Sequence, residues 1–65
     1  MNYQKIYDSL IQKRIDHPLY KNNCYCEKHH IIPKSLGGTN DYTNLINLTA
    51  REHYIAHLLL WKKYK

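Results

Sequence analysis

The chain is too short to be held together by a large apolar core. Its 65 residues are enough for a single domain, expected to span residues 1–65. A domain of this size buries a smaller fraction of its surface than a larger one, so it usually relies on a metal ion, disulfide bonds or a partner. Because 43% of the residues are apolar, a small core can still form and disorder is not expected.

Disulfide bonds are not the expected source of stability. In an extended segment the side chains of Cys24 and Cys26 point the same way and lie about 7 Å apart, too far for an easy disulfide. The chain has no second pair of cysteines to complete a four-cysteine zinc site. Both are expected to be small strand side chains, and a zinc site that combines them with His29 is the alternative.

The compartment is expected to be reducing. Two thiols without a signal-peptide pattern favour the cytoplasm. The longest apolar run, Ile55 to Trp61, is interrupted by His57 and is far shorter than a membrane span. We expect a soluble protein without membrane contact.

The charge balance favours a polyanionic partner. Ten Lys and Arg residues against five Asp and Glu residues give a net charge of +5. On a small domain such an excess points to nucleic acid first and to an anionic membrane surface second. The alternative is ordinary surface charge that maintains solubility, and charge alone does not separate these cases.

The first half of the chain is predicted to be a helix, a loop and a strand. Apolar residues recur at helical spacing over residues 2–15, which predicts an amphipathic helix. Pro18 ends any continuation and leaves residues 16–23 as a loop. Residues 24–32 are predicted to form a strand.

The second half is predicted to be a long loop, a short strand and a helix. Pro33 begins the loop, and residues 44–48 suit a second strand. Thr49 and Glu52 have the spacing of a capping box, which predicts a helix over residues 50–63 and favours a capping role for Glu52 over a metal role. Its expected core face consists of Ile55, Leu58, Leu59 and Trp61. The predicted fold class is α+β, with a two-stranded antiparallel hairpin between two helices.

Four of the five histidines form two pairs. His53 and His57 are four residues apart on the predicted helix, so both rings project from one face and can bind one ion. Taken alone, such a pair more often faces solvent or packs against tyrosines.

The second pair is His29 and His30, which are adjacent on the first predicted strand and therefore point to opposite faces. One ring can bind a metal while the other addresses a water as a general base. Taken alone, they are more simply two surface histidines. Three imidazoles with open positions for water would make a catalytic type of metal site.

The arrangement of these residues resembles the HNH nuclease motif, especially in phage-encoded endonucleases of the homing type. Asn44 follows His30 by 14 positions, and His53 follows Asn44 by nine. The resemblance covers residues 24–60 closely, the Tyr-rich first helix is similar to the start of those phage proteins, and the additional His57 is similar to colicin-type DNase domains. The resemblance to the HNH motif rests on the segments His29-His30-Ile31-Ile32-Pro33, Gly37-Gly38, Asn44-Leu45, Thr49, Arg51-Glu52-His53 and His57.

The resemblance implies a ββα-metal fold over residues 24–63. His30 would be the general base, and His29 and His53 would be metal ligands with His57 as a third. Asn44 would hold the loop so that the strand keeps its position. The implied reaction is hydrolysis of DNA phosphodiester bonds to 5′-phosphate and 3′-hydroxyl ends.

The implied partners are double-stranded DNA and one divalent metal ion. Lys34 and Arg51 are candidates for phosphate contacts, Arg51 also for a role in catalysis, and Lys62 and Lys63 are further candidates for DNA binding. Three histidines favour zinc, nickel or manganese, whereas magnesium prefers oxygen ligands.

Several alternatives remain open at this point. One is a DNA-binding module of the same fold without catalysis, and another is a small zinc-stabilised interaction domain. Glu27 could either orient a metal-binding histidine or pair with a lysine. Cleavage of both DNA strands would need a homodimer or sequential events. The chain could be a catalytic domain that lacks a C-terminal target-recognition region or a natural minimal protein, and if phage-encoded it would act in the host-cell cytoplasm.

Overall fold

Two helices pack against a two-stranded antiparallel sheet in the computed structural model, which describes all 65 residues. The elements are α1 (Tyr3–Asp16), β1 (Glu27–His30), β2 (Leu45–Leu48) and α2 (Ala50–Tyr64). Two short 3-10 turns, Lys34–Leu36 and Tyr42–Asn44, lie in the segment between the strands. The predicted α+β fold class, with the order helix, strand, long loop, strand, helix, is confirmed.

Helix α1 begins and ends where local chemistry favours it. The Asn2 side chain accepts a hydrogen bond from the Lys5 backbone N–H at 3.0 Å, which caps the first turn. The helix stops at Asp16, two residues before Pro18. Only part of its apolar stripe is covered, since Tyr7 and Ile11 are buried whereas Ile15 is 55% exposed.

Strand β1 is much shorter than the predicted strand over residues 24–32. It covers only Glu27–His30, which pair with β2 from Glu27 opposite Leu48 to His30 opposite Leu45. Strand β2 has only four residues, between a 3-10 turn and the cap of α2, so residues 24–26 have no partner strand. A strand ends where its partner ends, because its remaining backbone groups must bond elsewhere.

Helix α2 begins with the predicted capping box. The Glu52 N–H donates to Thr49 Oγ1 at 3.1 Å, and the Thr49 N–H donates to Glu52 Oε1 at 3.1 Å. Both otherwise unpaired backbone donors are thereby satisfied, which confirms the capping role of Glu52.

The core lies between the two helices and β2. It consists of Tyr7, Ile11, Leu48, Ala56 and Leu59. The predicted core face of α2 is wrong in two positions, because Leu58 is 36% exposed and Trp61 is 59% exposed. Helical rotation of about 100° per residue places Trp61 opposite the face centred on Ala56, so both cannot face the core. Neither helix is long and apolar enough to cross a membrane.

Candidate metal centre and active site

Three imidazole rings converge where β1 passes α2. His29, His53 and His57 each offer one nitrogen, and these nitrogens all lie within 4.8 Å of one another. His29 comes from β1 and is 2% exposed, while His53 and His57 come from successive turns of α2. The three residues that the sequence predicted as metal ligands are therefore neighbours in space.

Glu27 holds the ring of His53 in position. The Nδ1 of His53 lies 2.8 Å from Glu27 Oε1. A carboxylate accepts, so this nitrogen carries the hydrogen and the lone pair of the ring is on Nε2, which faces His57. Hydrogen bonds from Tyr25 and from His53 hold the pKa of Glu27 below its usual range. Of the two roles expected for Glu27, the orienting one is present.

The cluster favours uncharged imidazoles. Burial, together with the nearby His53 and His57, lowers the pKa of His29 to about 4. Burial and the neighbouring His53 also lower the pKa of His57, whose Nε2 lies 3.0 Å from that of His53. A neutral imidazole is the form that binds a metal, so the chemistry of this donor set fits a divalent ion.

His29 is also in contact with helix α1. Its Nε2 lies 2.7 Å from the hydroxyl of Tyr7, and this hydroxyl lies 2.7 Å from the carbonyl oxygen of Ile31. Burial, with a smaller contribution from Asp8, raises the pKa of Tyr7 to about 12, so the phenol keeps its proton. Apolar spacing in α1 predicted a core residue here and gave no sign of this contact.

His30 lies on the other side of β1 from the three-histidine cluster. It is half-buried, and its Nε2 lies 2.8 Å from Oδ1 of Asn40. As the strand alternation predicted, adjacent histidines have separate surroundings. Asn40 was not singled out by the sequence, because an Asn-Asp pair in a loop is ordinary turn chemistry.

Asn44 ties the long loop to the end of β1. Its buried Oδ1 accepts from the Ile32 N–H at 2.8 Å, and its Nδ2 donates to the carbonyl oxygens of Ile32 at 3.1 Å and Thr39 at 2.9 Å. The loop packs so closely there that a Cβ on Gly38 would lie 1.7 Å from the Ile32 oxygen. Gly37 ends the first 3-10 turn with a φ of 92°, which favours glycine.

The basic candidates lie outside this cluster. Lys34 and Arg51 are exposed and form no ion pair in the structure. The Lys62 ammonium lies 5.8 Å from the centre of the Tyr3 ring, and that of Lys63 lies 4.7 Å from the centre of the Tyr64 ring. No hydrogen bond joins any of these four side chains to the histidines.

The alternative zinc site is wrong. Cys24 is exposed and Cys26 is buried, and both are free thiols. They do not form a ligand group with His29, and the only group of three or more potential ligands is the histidine cluster. Residues 24–26 precede the paired strand, which begins at Glu27, so neither cysteine lies on the strand that carries His29.

The model of the HNH endonuclease family matches residues 18–57 of the chain. This chain belongs to the HNH endonuclease family. All the residues of the motif lie within the match, from His29 to His57, whereas α1 with Tyr7 precedes it. The predicted resemblance is confirmed.

Named relatives of this HNH chain occur in Enterobacteria phage T4. It is 56% identical to probable mobile endonuclease D over 64 residues, and this alignment covers 95% of the chain and 25% of that protein. It is 54% identical over 65 residues to probable mobile endonuclease E, covering 98% of the chain and 44% of that protein. The chain thus spans less than half the length of these relatives. No solved structure gives a significant match.

Proposed function

We propose that this HNH chain is a metal-dependent module that hydrolyses phosphodiester bonds in double-stranded DNA. The observation that carries the proposal is the pairing of a three-histidine cluster with a separate histidine on the opposite side of the same strand. The three-histidine cluster suits a metal ion, and the separate histidine suits a general base because it is not itself a metal ligand. The phage relatives named as mobile endonucleases support the same activity.

His29, His53 and His57 would hold one divalent ion, with zinc, nickel or manganese favoured by three imidazoles and magnesium as the alternative. When bound, the ion supplies Lewis-acid stabilisation of the charge that develops on the phosphate and on the leaving 3′-oxygen. Glu27 supports this assignment, because its contact with His53 leaves the opposite ring nitrogen free.

His30 would accept the proton of the attacking water. If its Nε2–H donates to Oδ1 of Asn40, the lone pair on Nδ1 is the one that accepts the proton. Histidine is the side chain that most often serves as a general base in enzymes. Asn44 would keep β1 and the loop in register, so that His30 and the ion address the same phosphate.

The positive charge would bring DNA to the site. A net charge of +5 and the exposed Lys34, Arg51, Lys62 and Lys63 favour contacts with phosphates, which carry no sequence information. We propose that binding by this module alone is salt-sensitive and nearly indifferent to sequence. Target recognition would then come from other regions in longer family members, and a second copy of the chain would supply the second active site for cleavage of both strands.

A plasmid-cleavage assay with and without a chelator tests this proposal. Cleavage should require added metal ion, and His30→Ala should lose ~10²–10⁴-fold of the rate while its metal affinity stays the same. His17→Ala is the matched control, since His17 is exposed in the loop after α1. Metal binding without cleavage by the unaltered chain would favour a silent DNA-binding module, and cleavage by His30→Ala at the normal rate would exclude this base.

A further inference from the structure

Tyr7 is the one residue of α1 whose side chain contacts the histidine cluster by a hydrogen bond. Its hydroxyl lies 2.7 Å from Nε2 of His29 and 2.7 Å from the Ile31 carbonyl oxygen. Tyr7 itself is only 4% exposed, so water does not compete for these bonds. The contact spans 22 positions of sequence and joins α1 to the end of β1.

The hydrogen atoms in this chain of contacts can be arranged in only one way when His29 is neutral. The Ile31 carbonyl has no hydrogen, so it must accept the single hydroxyl hydrogen of Tyr7. The Tyr7 oxygen is then left to accept, and the donor must be Nε2–H of His29. A neutral imidazole carries one N–H, so Nδ1 of His29 keeps its lone pair.

That lone pair is the one the proposed metal site needs. Glu27 holds Nδ1 of His53 and leaves the lone pair of that ring on Nε2, while Tyr7 holds Nε2 of His29 and leaves the lone pair of that ring on Nδ1. The His29 ring stands nearly perpendicular to both partners, with interplanar angles of 74° to His53 and 82° to His57. Two rings of the cluster are thus oriented by two different outer partners, one from β1 and one from α1.

We propose that Tyr7 is a positioning residue of the metal centre, which selects the Nε2–H tautomer of His29 and presents Nδ1 to the ion. The inference rests on the proposed metal site, and it extends that site to helix α1, outside the region matched by the family model. Partners that orient a metal-bound histidine typically change metal affinity about 10–100-fold when they are removed.

The alternative is that Tyr7 only fills the core, where it packs with Ile11, Leu48, Ala56 and Leu59. Tyr7→Phe separates the two roles because the ring remains and only the hydroxyl is lost. Tyr3→Phe is the matched control, since Tyr3 lies one turn earlier on α1, is half-buried, and makes no hydrogen bond through its hydroxyl.

The test has two measurements on the full chain. Side-chain ¹⁵N NMR of the metal-free protein at about pH 8, where free imidazoles are neutral, should show His29 as the Nε2–H tautomer in the unaltered chain and in Tyr3→Phe. In Tyr7→Phe the signals should move to a mixture of the two tautomers. Zinc affinity, measured by competition with a chromogenic chelator, should fall about 10–100-fold in Tyr7→Phe and stay unchanged in Tyr3→Phe.

Two results would overturn the proposal. One is an Nδ1–H tautomer of His29 in the unaltered protein. This measurement needs no variant, so it tests the proposal even if Tyr7→Phe fails to fold. The other is a folded Tyr7→Phe variant that binds zinc as tightly as the unaltered chain. If instead the unaltered chain binds no zinc while His29 keeps the Nε2–H tautomer, the proposed metal site fails and the hydrogen-bond assignment stands.

Discussion

Arg14 and Glu52 form an ion pair that joins the end of α1 to the start of α2. The Nε of Arg14 lies 2.8 Å from one carboxylate oxygen of Glu52 and 3.0 Å from the other. The side chains are 14% and 10% exposed, so the pair is largely shielded from water. Burial by itself would raise the pKa of Glu52, but hydrogen bonds from Arg14 and from the Thr49 backbone outweigh it and lower the pKa to about 2.

Removing Arg14 should destabilise the fold much more than removing its neighbour Lys13. Arg14→Ala leaves a buried carboxylate without its main partner, and we expect a loss of about 2–4 kcal/mol in the free energy of unfolding. Lys13 lies 3.5 Å from the same carboxylate but is 59% exposed, so Lys13→Ala should cost less than about 1 kcal/mol. Urea unfolding of both variants provides the comparison. Equal losses in the free energy of unfolding would show that the shielded ion pair contributes no more to stability than the exposed one.

The metal-free domain should lose stability as the pH falls below about 6.5. His29 has a folded pKa of about 4, below the ordinary value of 6.5, so the unfolded chain takes up this proton first. The stabilisation is complete above about pH 6.5 and is lost down to about pH 4, amounting to about 3 kcal/mol. The lowered pKa of His57 acts in the same direction. Glu52 adds a second pH range in which stability is lost, from its ordinary pKa of 4.5 down to its folded pKa of about 2.

Urea unfolding at a series of pH values measures this dependence. His29→Gln should flatten most of the slope between about pH 6.5 and 4.5, whereas His17→Gln, at an exposed position, should keep it. An unaltered slope in His29→Gln would mean that the buried ring does not control acid stability.

Zinc should stabilise the metal-free domain by binding to His29, His53 and His57 in the native state. A ligand that binds only the native state adds about 2.7 kcal/mol at a concentration one hundred times its Kd, so the thermal midpoint should rise. The effect should fade below about pH 6, because protonated imidazoles cease to be ligands. Scanning calorimetry with and without zinc gives the result, and identical melting curves would exclude the site.

Alanine variants of the two adjacent histidines should fail in different ways. His29→Ala is expected to weaken metal binding, stability and cleavage together, while His30→Ala loses cleavage alone. Raising the metal concentration should partly restore cleavage in His29→Ala and in His53→Ala, but not in His30→Ala. Cleavage and zinc binding are measured on the same preparations. The assignment is reversed if His30→Ala loses metal affinity and His29→Ala keeps it.

Features that depend on local spacing were predictable from the sequence. The capping box of α2, the placement of His53 and His57 on one helix face, and the opposite faces of His29 and His30 follow from repeats of 3.6 and 2 residues. These patterns, together with the motif resemblance, were enough to predict the fold class and the membership of the histidine cluster.

The tertiary structure alone decided how distant elements meet. Arg14 and Glu52 are 38 positions apart, and Tyr7 and His29 are 22 apart. Periodicity shows which residues share a face, but not how one helix is rotated against another, and that rotation decides which polar groups come within hydrogen-bond distance. The length of β1 was set in the same way, because a strand extends only as far as its partner β2 offers backbone groups to pair with.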